Sequence, residues 1–283
     1  TQILMANTIT EMQLTDYSRR TLVQLGVLDP LVKMLSEGNF ELKSASLGAL
    51  QNLSKLSRNR DDIVNAGGVR LLLEILFTSK SILMTMKEQA ADVFANLATT
   101  KNTSSGDSYY DLLGNGPELN ETIYQLLSLL HLSGSLLQAR LLQALVGLSS
   151  PLCAGVLRET MREAGYIEVL VSLYMVTADA EVRLFALKLL YVVTQDGGGQ
   201  TLANEMGVKP LKSLVDLLML ESSRDDVKSS VMGILQHIPV DNNSITELMV
   251  EGGLLQVVLE ILQKATSKDC IKRELLENTI GVF

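Results

Sequence analysis

Apolar residues recur along this chain at the spacing i, i+3, i+4, i+7, which lines up one face of a helix. The pattern runs Leu28, Leu31, Val32, Leu35, then Val69, Leu72, Leu73, Leu76, then Ile123, Leu126, Leu127, Leu130. It returns as Ile167, Leu170, Val171, Tyr174 and as Leu254, Val257, Val258, Ile261. Between these two, Val208, Leu211 and Val215 keep the spacing and Lys212 interrupts it. The first members fall at 28, 69, 123, 167, 208 and 254, so the steps are 41, 54, 44, 41 and 46 residues. A period of roughly 40–47 residues predicts stacked helical repeats.

A glycine precedes most of these helices: Gly26, Gly68, Gly165, Gly207 and Gly253. Glycine there permits a tight turn out of a short first helix. A third helix follows each polar loop, ending QNLS (Gln51 to Ser54), ANLA (Ala95 to Ala98), VGLS (Val146 to Ser149), YVVT (Tyr191 to Thr194) or QHIP (Gln236 to Pro239). The expected repeats lie near 18–57, 58–100, 112–150, 154–195, 199–239 and 242–283, with an insertion over 99–111. The third repeat has no recognisable first helix. No such unit buries its apolar face alone, so neighbours stack into one core and their third helices line a shared concave groove.

The phrases SLGALQNLS (46–54), AGGV (66–69) and QAADVFANLA (89–98) resemble the armadillo repeat, over roughly residues 18–283. The resemblance implies an all-α, right-handed superhelical armadillo-repeat solenoid of about six repeats, forming a single domain over 1–283. HEAT arrays share the period but have two helices and lack the glycine turn, and are the structural alternative. In the C-terminal half, EVRLFALKLLYVVTQDGGG (181–199), VMGILQHIP and ITELMVEGG resemble the armadillo arrays of plant U-box E3 ubiquitin ligases, most of all the senescence-associated long-array subgroup. In such ligases a U-box recruits the E2 and the array selects substrates or partners, and some arrays bring the ligase to the plasma membrane. The resemblance therefore implies a protein-recognition module with no U-box of its own. A non-ligase scaffold or adaptor in signalling is the alternative.

Composition narrows the partners. The net charge of -8 argues against nucleic acid, which requires a basic face. Cys153 and Cys270 are far apart and form no CxxC pair, which excludes the usual zinc spacing and suggests a reducing compartment. The expected location is cytoplasmic, with peripheral plasma-membrane association as a further expectation. From Thr122 to Leu157 the one charge is Arg140, but polar breaks favour two buried helices over a bilayer span. That stretch is the candidate for membrane contact. Both ends of the sequence read as cut from a longer chain, and nothing in it sets the oligomeric state.

Chemistry is sparse. There is no GxSxG elbow or phosphate-binding P-loop, and no cofactor or metal is expected. His131 reads as an ordinary residue of the third repeat's second helix. Gly197–Gly199 follows a helix and reads as a flexible loop between repeats. Asp61-Asp62 and Asp225-Asp226 read as acids at helix starts, where they favour the dipole and serve as caps. The 99–111 insertion, with Tyr109 and Tyr110, reads as a surface loop.

Two ladders are the candidate groove. At the Asn of NLS the third helices read Asn52, Asn96, Gly147, Val192 and His237. An Asn there resembles the groove Asn with which armadillo proteins hold a peptide backbone, since an amide both donates and accepts; bracing a helix end is the competing reading. Import receptors of this fold pair it with a Trp four residues earlier. Those positions here are Gly48, Asp92, Gln143, Lys188 and Gly233, so aromatic slots for lysines are not expected. Nine residues before the Asn stand Lys43, Lys87, Gln138, Arg183 and Lys228, either a basic rail for an acidic or phosphorylated peptide or simply solvated helix starts. The candidate partner-binding residues are Asn52, Asn96, Lys43, Lys87, Arg183, Lys188, Lys228 and His237.

Overall fold

The computed structural model describes residues 1–78, 83–99, 113, 117–131, 133–149, 153–199, 202–203, 207–220, 224–238, 243–266 and 272–282. Most of the 99–111 insertion, Cys270 and Pro239 lie outside the described residues. Every element described is a helix. The chain divides into two compact units, Thr1–Leu157 and Arg158–Phe283.

Unit 1 contains α1 (Gln2–Glu11), α2 (Asp16–Gln24), α3 (Leu28–Glu37), α4 (Phe40–Ser54), α5 (Ser57–Asn65), α6 (Gly68–Phe77), α7 (Met84–Ala98), α8 (Pro117–Leu130) and α9 (Ser135–Leu148). The boundary falls within α10 (Ala154–Glu163). Unit 2 continues with α11 (Tyr166–Val176), α12 (Ala180–Thr194), α13 (Val208–Met219), α14 (Asp225–Leu235), α15 (Asn243–Glu251), α16 (Leu254–Thr266) and α17 (Arg273–Gly281). The expected triplets are complete as α2-α3-α4, α5-α6-α7, α10-α11-α12 and α15-α16-α17.

Local chemistry sets the boundaries. Asn39 accepts the Leu42 amide at 3.0 Å and opens α4, while Asp179 accepts those of Glu181 and Val182 at 2.8 and 3.1 Å and opens α12. Such caps satisfy amides that the helix itself cannot. The first-to-second-helix turns use glycines at positive φ: Gly26 at 82°, Gly67 at 83°, Gly165 at 69°, Gly207 at 69° and Gly253 at 88°. In the second repeat the turn residue is Gly67, one before the expected Gly68. Gly68 serves packing instead, because a Cβ there would meet Ile63 at 2.9 Å.

The second-helix leucines are core. Leu31, Leu35, Leu72, Leu76, Leu126 and Leu170 are at most 3% exposed. At about 25 cal/mol per Å² of apolar surface removed from water, such faces supply the driving force for stacking. No described helix is long and apolar enough to cross a membrane.

Four expectations need correction. Asp61 and Asp62 lie mid-way along α5, not at its start, and Asp62 is ion-paired to Arg20 from α2. Asp225 and Asp226 do lie in the first turn of α14, but no side chain caps that helix. His131 is an exposed turn residue just beyond α8. The segment Gly197–Gly199 is not a loose loop: Gly197 turns at φ 83°, Gly198 and Gly199 are helical, and just before them the Arg162 guanidinium donates to Val193 O at 2.7 Å and Gln195 O at 3.1 Å.

One element lay outside the expected repeats altogether. Helix α1 packs along α4 and occupies the place of a third helix.

Candidate protein-binding surface

Third helices lie side by side in each unit: α1, α4, α7 and α9 in unit 1, and α12, α14 and α17 in unit 2. Their contacts keep a fixed register. Taking Asn52 and its equivalents as reference, the residue one before the reference meets the residue four before it in the next helix at α4–α7 and α12–α14, and α1–α4 and α14–α17 make the matching contact. In unit 1, Gln51 donates to Asp92 at 3.0 Å. The Thr10 side chain lies over Gly48, where a Cβ would come within 2.7 Å of it. In unit 2, Tyr191 lies over Gly233, where a Cβ would come within 2.7 Å of the ring, and Gln236 lies over Gly281. The place that holds Trp in import receptors is thus filled from the neighbouring helix. This register makes Glu11 the reference position of α1.

The two floors differ chemically. In unit 1, Asp92 also takes the Arg140 guanidinium at 2.7 Å, and Arg140 donates to Gln143 at 3.0 Å. Asp92 and Arg140 are 17% and 25% exposed, so a polar ladder spans α4, α7 and α9 with little water around its charges. In unit 2, Tyr191 stacks on His237 with ring centroids 6.0 Å apart and planes 24° apart. Tyr191 donates to Asn278 at 3.2 Å, and Gln236 lies 3.4 Å from Tyr191 Oη and from His237 Nε2. The residue as a whole is exposed, yet burial of the ring's stacked side lowers the His237 pKa, with Asp196 opposing. Beside it opens an apolar recess of about 580 Å³, walled by Leu235, Ile238, Met249, Leu254 and Val258.

The Asn ladder binds within the chain. Asn52 is 5% exposed, and its Nδ2 donates to Ile9 O at 2.6 Å and Met12 O at 3.0 Å at the end of α1. Its Oδ1 accepts from Arg19 at 3.1 and 3.2 Å. Asn96 donates to Ser54 Oγ at 3.1 Å and remains half-buried. Each amide fastens its helix to the end of the preceding third helix. Lys188 sits 5.8 Å from the Phe185 ring centre, a cation–π geometry. Its charge also reaches Asp226, whose carboxyl is held below the usual range chiefly by the hydrogen bond from Lys272, with Arg224 at 3.0 Å adding to it.

Three positions of the basic ladder share a geometry. Lys87 donates to Thr78 O at 3.0 Å, Gln138 to Leu130 O at 3.0 Å and Arg183 to Thr177 O at 2.6 Å. Each acceptor closes the preceding second helix, where unpaired carbonyls and the negative end of the dipole favour a donor. This explains how Gln can stand for a cation at 138: the carbonyl is met by an N–H in either case. Lys43 and Lys228 make no corresponding bond among the described residues. No cluster that could hold a metal is found among the described residues.

Known proteins match this arrangement. Residues 15–55 fit the family model of the armadillo/beta-catenin-like repeat. The chain is 24% identical over 265 residues to U-box domain-containing protein 44 of Arabidopsis thaliana, covering 92% of this chain and 32% of that protein. Against U-box domain-containing protein 43 of the same plant it is 24% identical over 255 residues, covering 86% and 31%. The chain therefore spans about a third of the length of these relatives. An engineered protein superposes with TM-score 0.68 at 24% identity, over 98% of this chain and 61% of the other. A designed armadillo repeat protein in complex with the peptide (KR)4 superposes with TM-score 0.60 at 18% identity, over 90% and 97%. The fold of this chain is that of an armadillo-repeat array.

Proposed function

We propose that the chain is a non-catalytic protein-recognition module, binding an extended segment of a partner along the third-helix faces, and that in its parent protein it selects substrates or partners for a plant U-box ubiquitin ligase. The observation that carries this reading is the pair of side-by-side third-helix surfaces, one in each unit, on a scaffold whose designed counterpart holds a peptide. The likeness to two U-box proteins over most of this chain supports the ligase setting. In unit 2 the exposed His237 and the half-buried Tyr191 and Lys188 meet the partner, and the recess beside His237 takes an apolar side chain. In unit 1 Asn96 and Gln143 face the partner, with Asn52 holding the floor from beneath. Lys43 and Lys228 are the ladder cations left to meet acidic groups. We place the module in the cytoplasm, reaching the plasma membrane through a membrane-protein partner.

The test is ubiquitination by the parent protein. Lys188→Glu with His237→Glu is expected to abolish transfer to the bound substrate and leave self-ubiquitination intact. Unchanged substrate transfer would overturn the binding surface. A parent protein without a U-box would favour the scaffold alternative.

A further inference from the structure

Four arginines with largely covered side chains meet carboxylates: Arg19 meets Asp16, Arg20 meets Asp62, Arg140 meets Asp92 and Arg158 meets Asp196. The corner between α4 and α5 is different. Lys55, Arg58 and Arg60 stand there within six residues, in a chain whose net charge is -8. Among the described residues none of the three lies within ion-pair distance of an acid. Of the two acids of α5, Asp62 is committed to Arg20, which leaves Asp61 alone to balance three cations. The carbonyl end of α4 adds about half a negative charge from the helix dipole. That offsets part of one cation, and the corner stays positive.

Arg60 is the ordered member of this corner. Its Nε donates to Ser54 O at 2.9 Å and its Nη1 to Thr99 Oγ1 at 3.3 Å, so both partners are neutral. Burial holds its pKa below the usual arginine value, and no carboxylate acts against that loss of water. Asn96 reaches the same helix end, donating to Ser54 Oγ at 3.1 Å. The guanidinium, the amide and the Thr99 hydroxyl thus converge where α4 and α7 end on the third-helix face of unit 1. Nη2 of Arg60 has no partner among the described residues. Lys55 and Arg58 are exposed, and their side chains form no hydrogen bond among the described residues.

We propose that this corner seats a doubly charged oxyanion, the phosphate of a phosphorylated serine or threonine in the partner segment that lies along the third-helix face of unit 1. It rests on the partner's lying on that face, to which Asn96 belongs. Charge specifies the ligand. A phosphate monoester brings close to two negative charges and three acceptor oxygens, against three cations and one acid. A carboxylate brings half that charge. A nucleic-acid strand brings a row of phosphates toward an acidic chain, which repels it. Geometry assigns the roles. Arg60 is held by two bonds before the ligand arrives, so little freedom is lost on capture, and its free edge is a planar donor that suits phosphate oxygens. Lys55 and Arg58 act as point charges from the solvent side.

The experiment offers residues 1–283 three pools of short peptides, random except for a central residue that is phosphoserine, serine or glutamate. The phosphoserine pool is expected to be held on the order of tenfold more tightly than the serine pool. Arg60→Gln is expected to bring those two pools level. Lys55→Gln with Arg58→Gln, which removes no hydrogen bond, is expected to weaken the phosphoserine pool several-fold. Arg70→Gln, on the exposed face of α6, is expected to change nothing. If Arg60→Gln fails to fold, the Lys55 and Arg58 double variant decides alone. Equal holding of the phosphoserine and serine pools overturns the proposal and leaves the binding face standing. So does a phosphoserine preference that survives in both variants. A glutamate pool held as tightly as the phosphoserine pool also overturns it, assigning the corner to plain acidic segments. If no pool is held, the binding face itself falls, and the corner with it.

Discussion

The third-helix floor of unit 1 is held by charge, and that of unit 2 by rings and amides. Both use the same register, in which the residue before the reference crosses to the fourth position before it in the next helix. In unit 1 the crossing is Gln51 to Asp92, backed by Arg140. In unit 2 it is Tyr191 over Gly233 and Gln236 over Gly281. The fold thus fixes where neighbours meet and leaves open what chemistry is placed there.

Breaking the charged floor has the largest expected effect. Asp92→Ala leaves Arg140 without its carboxylate in a place largely withdrawn from water. A loss of about 1–3 kcal/mol is expected in urea unfolding. Asp92→Ala with Arg140→Met is expected to be less harmful than the sum of the two, as a double-mutant cycle reads directly.

The aromatic floor answers differently. Gly233→Ala pushes a methyl group against the Tyr191 ring and is expected to destabilise by about 1 kcal/mol or more. In a Tyr191→Ala background the sign reverses, because alanine favours a helix over glycine by about 1 kcal/mol. Failure of the thermal midpoint to change direction between the two backgrounds would refute the crossing.

The ladder of donors gives a smaller effect, common to both units. Lys87→Ala in unit 1 and Arg183→Ala in unit 2 are each expected to cost about 0.5–1.5 kcal/mol. Lys87→Gln is expected to retain most of that stability, as Gln138 does in its own repeat; a full loss would show that charge, not an N–H, is required.

Acidification separates the units most weakly. The His237 pKa is lowered by burial, so the folded state resists protonation there. Below the ordinary histidine range the unfolded state takes up a proton that the folded state does not, and stability falls with pH. Asp226, also lowered, adds a further loss as pH falls below the ordinary carboxylate range. His237→Gln is expected to flatten the first part of the pH–melting curve and leave the second.

Much of this was legible in sequence. The second-helix spacing located α3, α6, α8, α11, α13 and α16, because burial on one face imposes a period that local sequence must carry. The Asn and Lys ladders were legible as periodic, but their partners were not. Asn52 bonds to carbonyls of Ile9 and Met12, some forty residues distant, in a helix with no triplet of its own to announce it. Lys87 and Arg183 stand in the first turns of their own helices, where a cation meets the positive end of the dipole. The relevant dipole belonged to the preceding helix, across a turn whose geometry a one-dimensional pattern does not carry.

The crossing of side chains between neighbouring third helices bears on transplantation. A repeat lifted out with Gly233 but set beside Ala95 would keep a notch with no ring to fill it. One carrying Asp92, set after Thr10, would lose the amide that Gln51 supplies. The interchangeable unit in this molecule is therefore a junction, half of one repeat and half of the next, and grafts designed at that boundary preserve what whole-repeat exchange would cut.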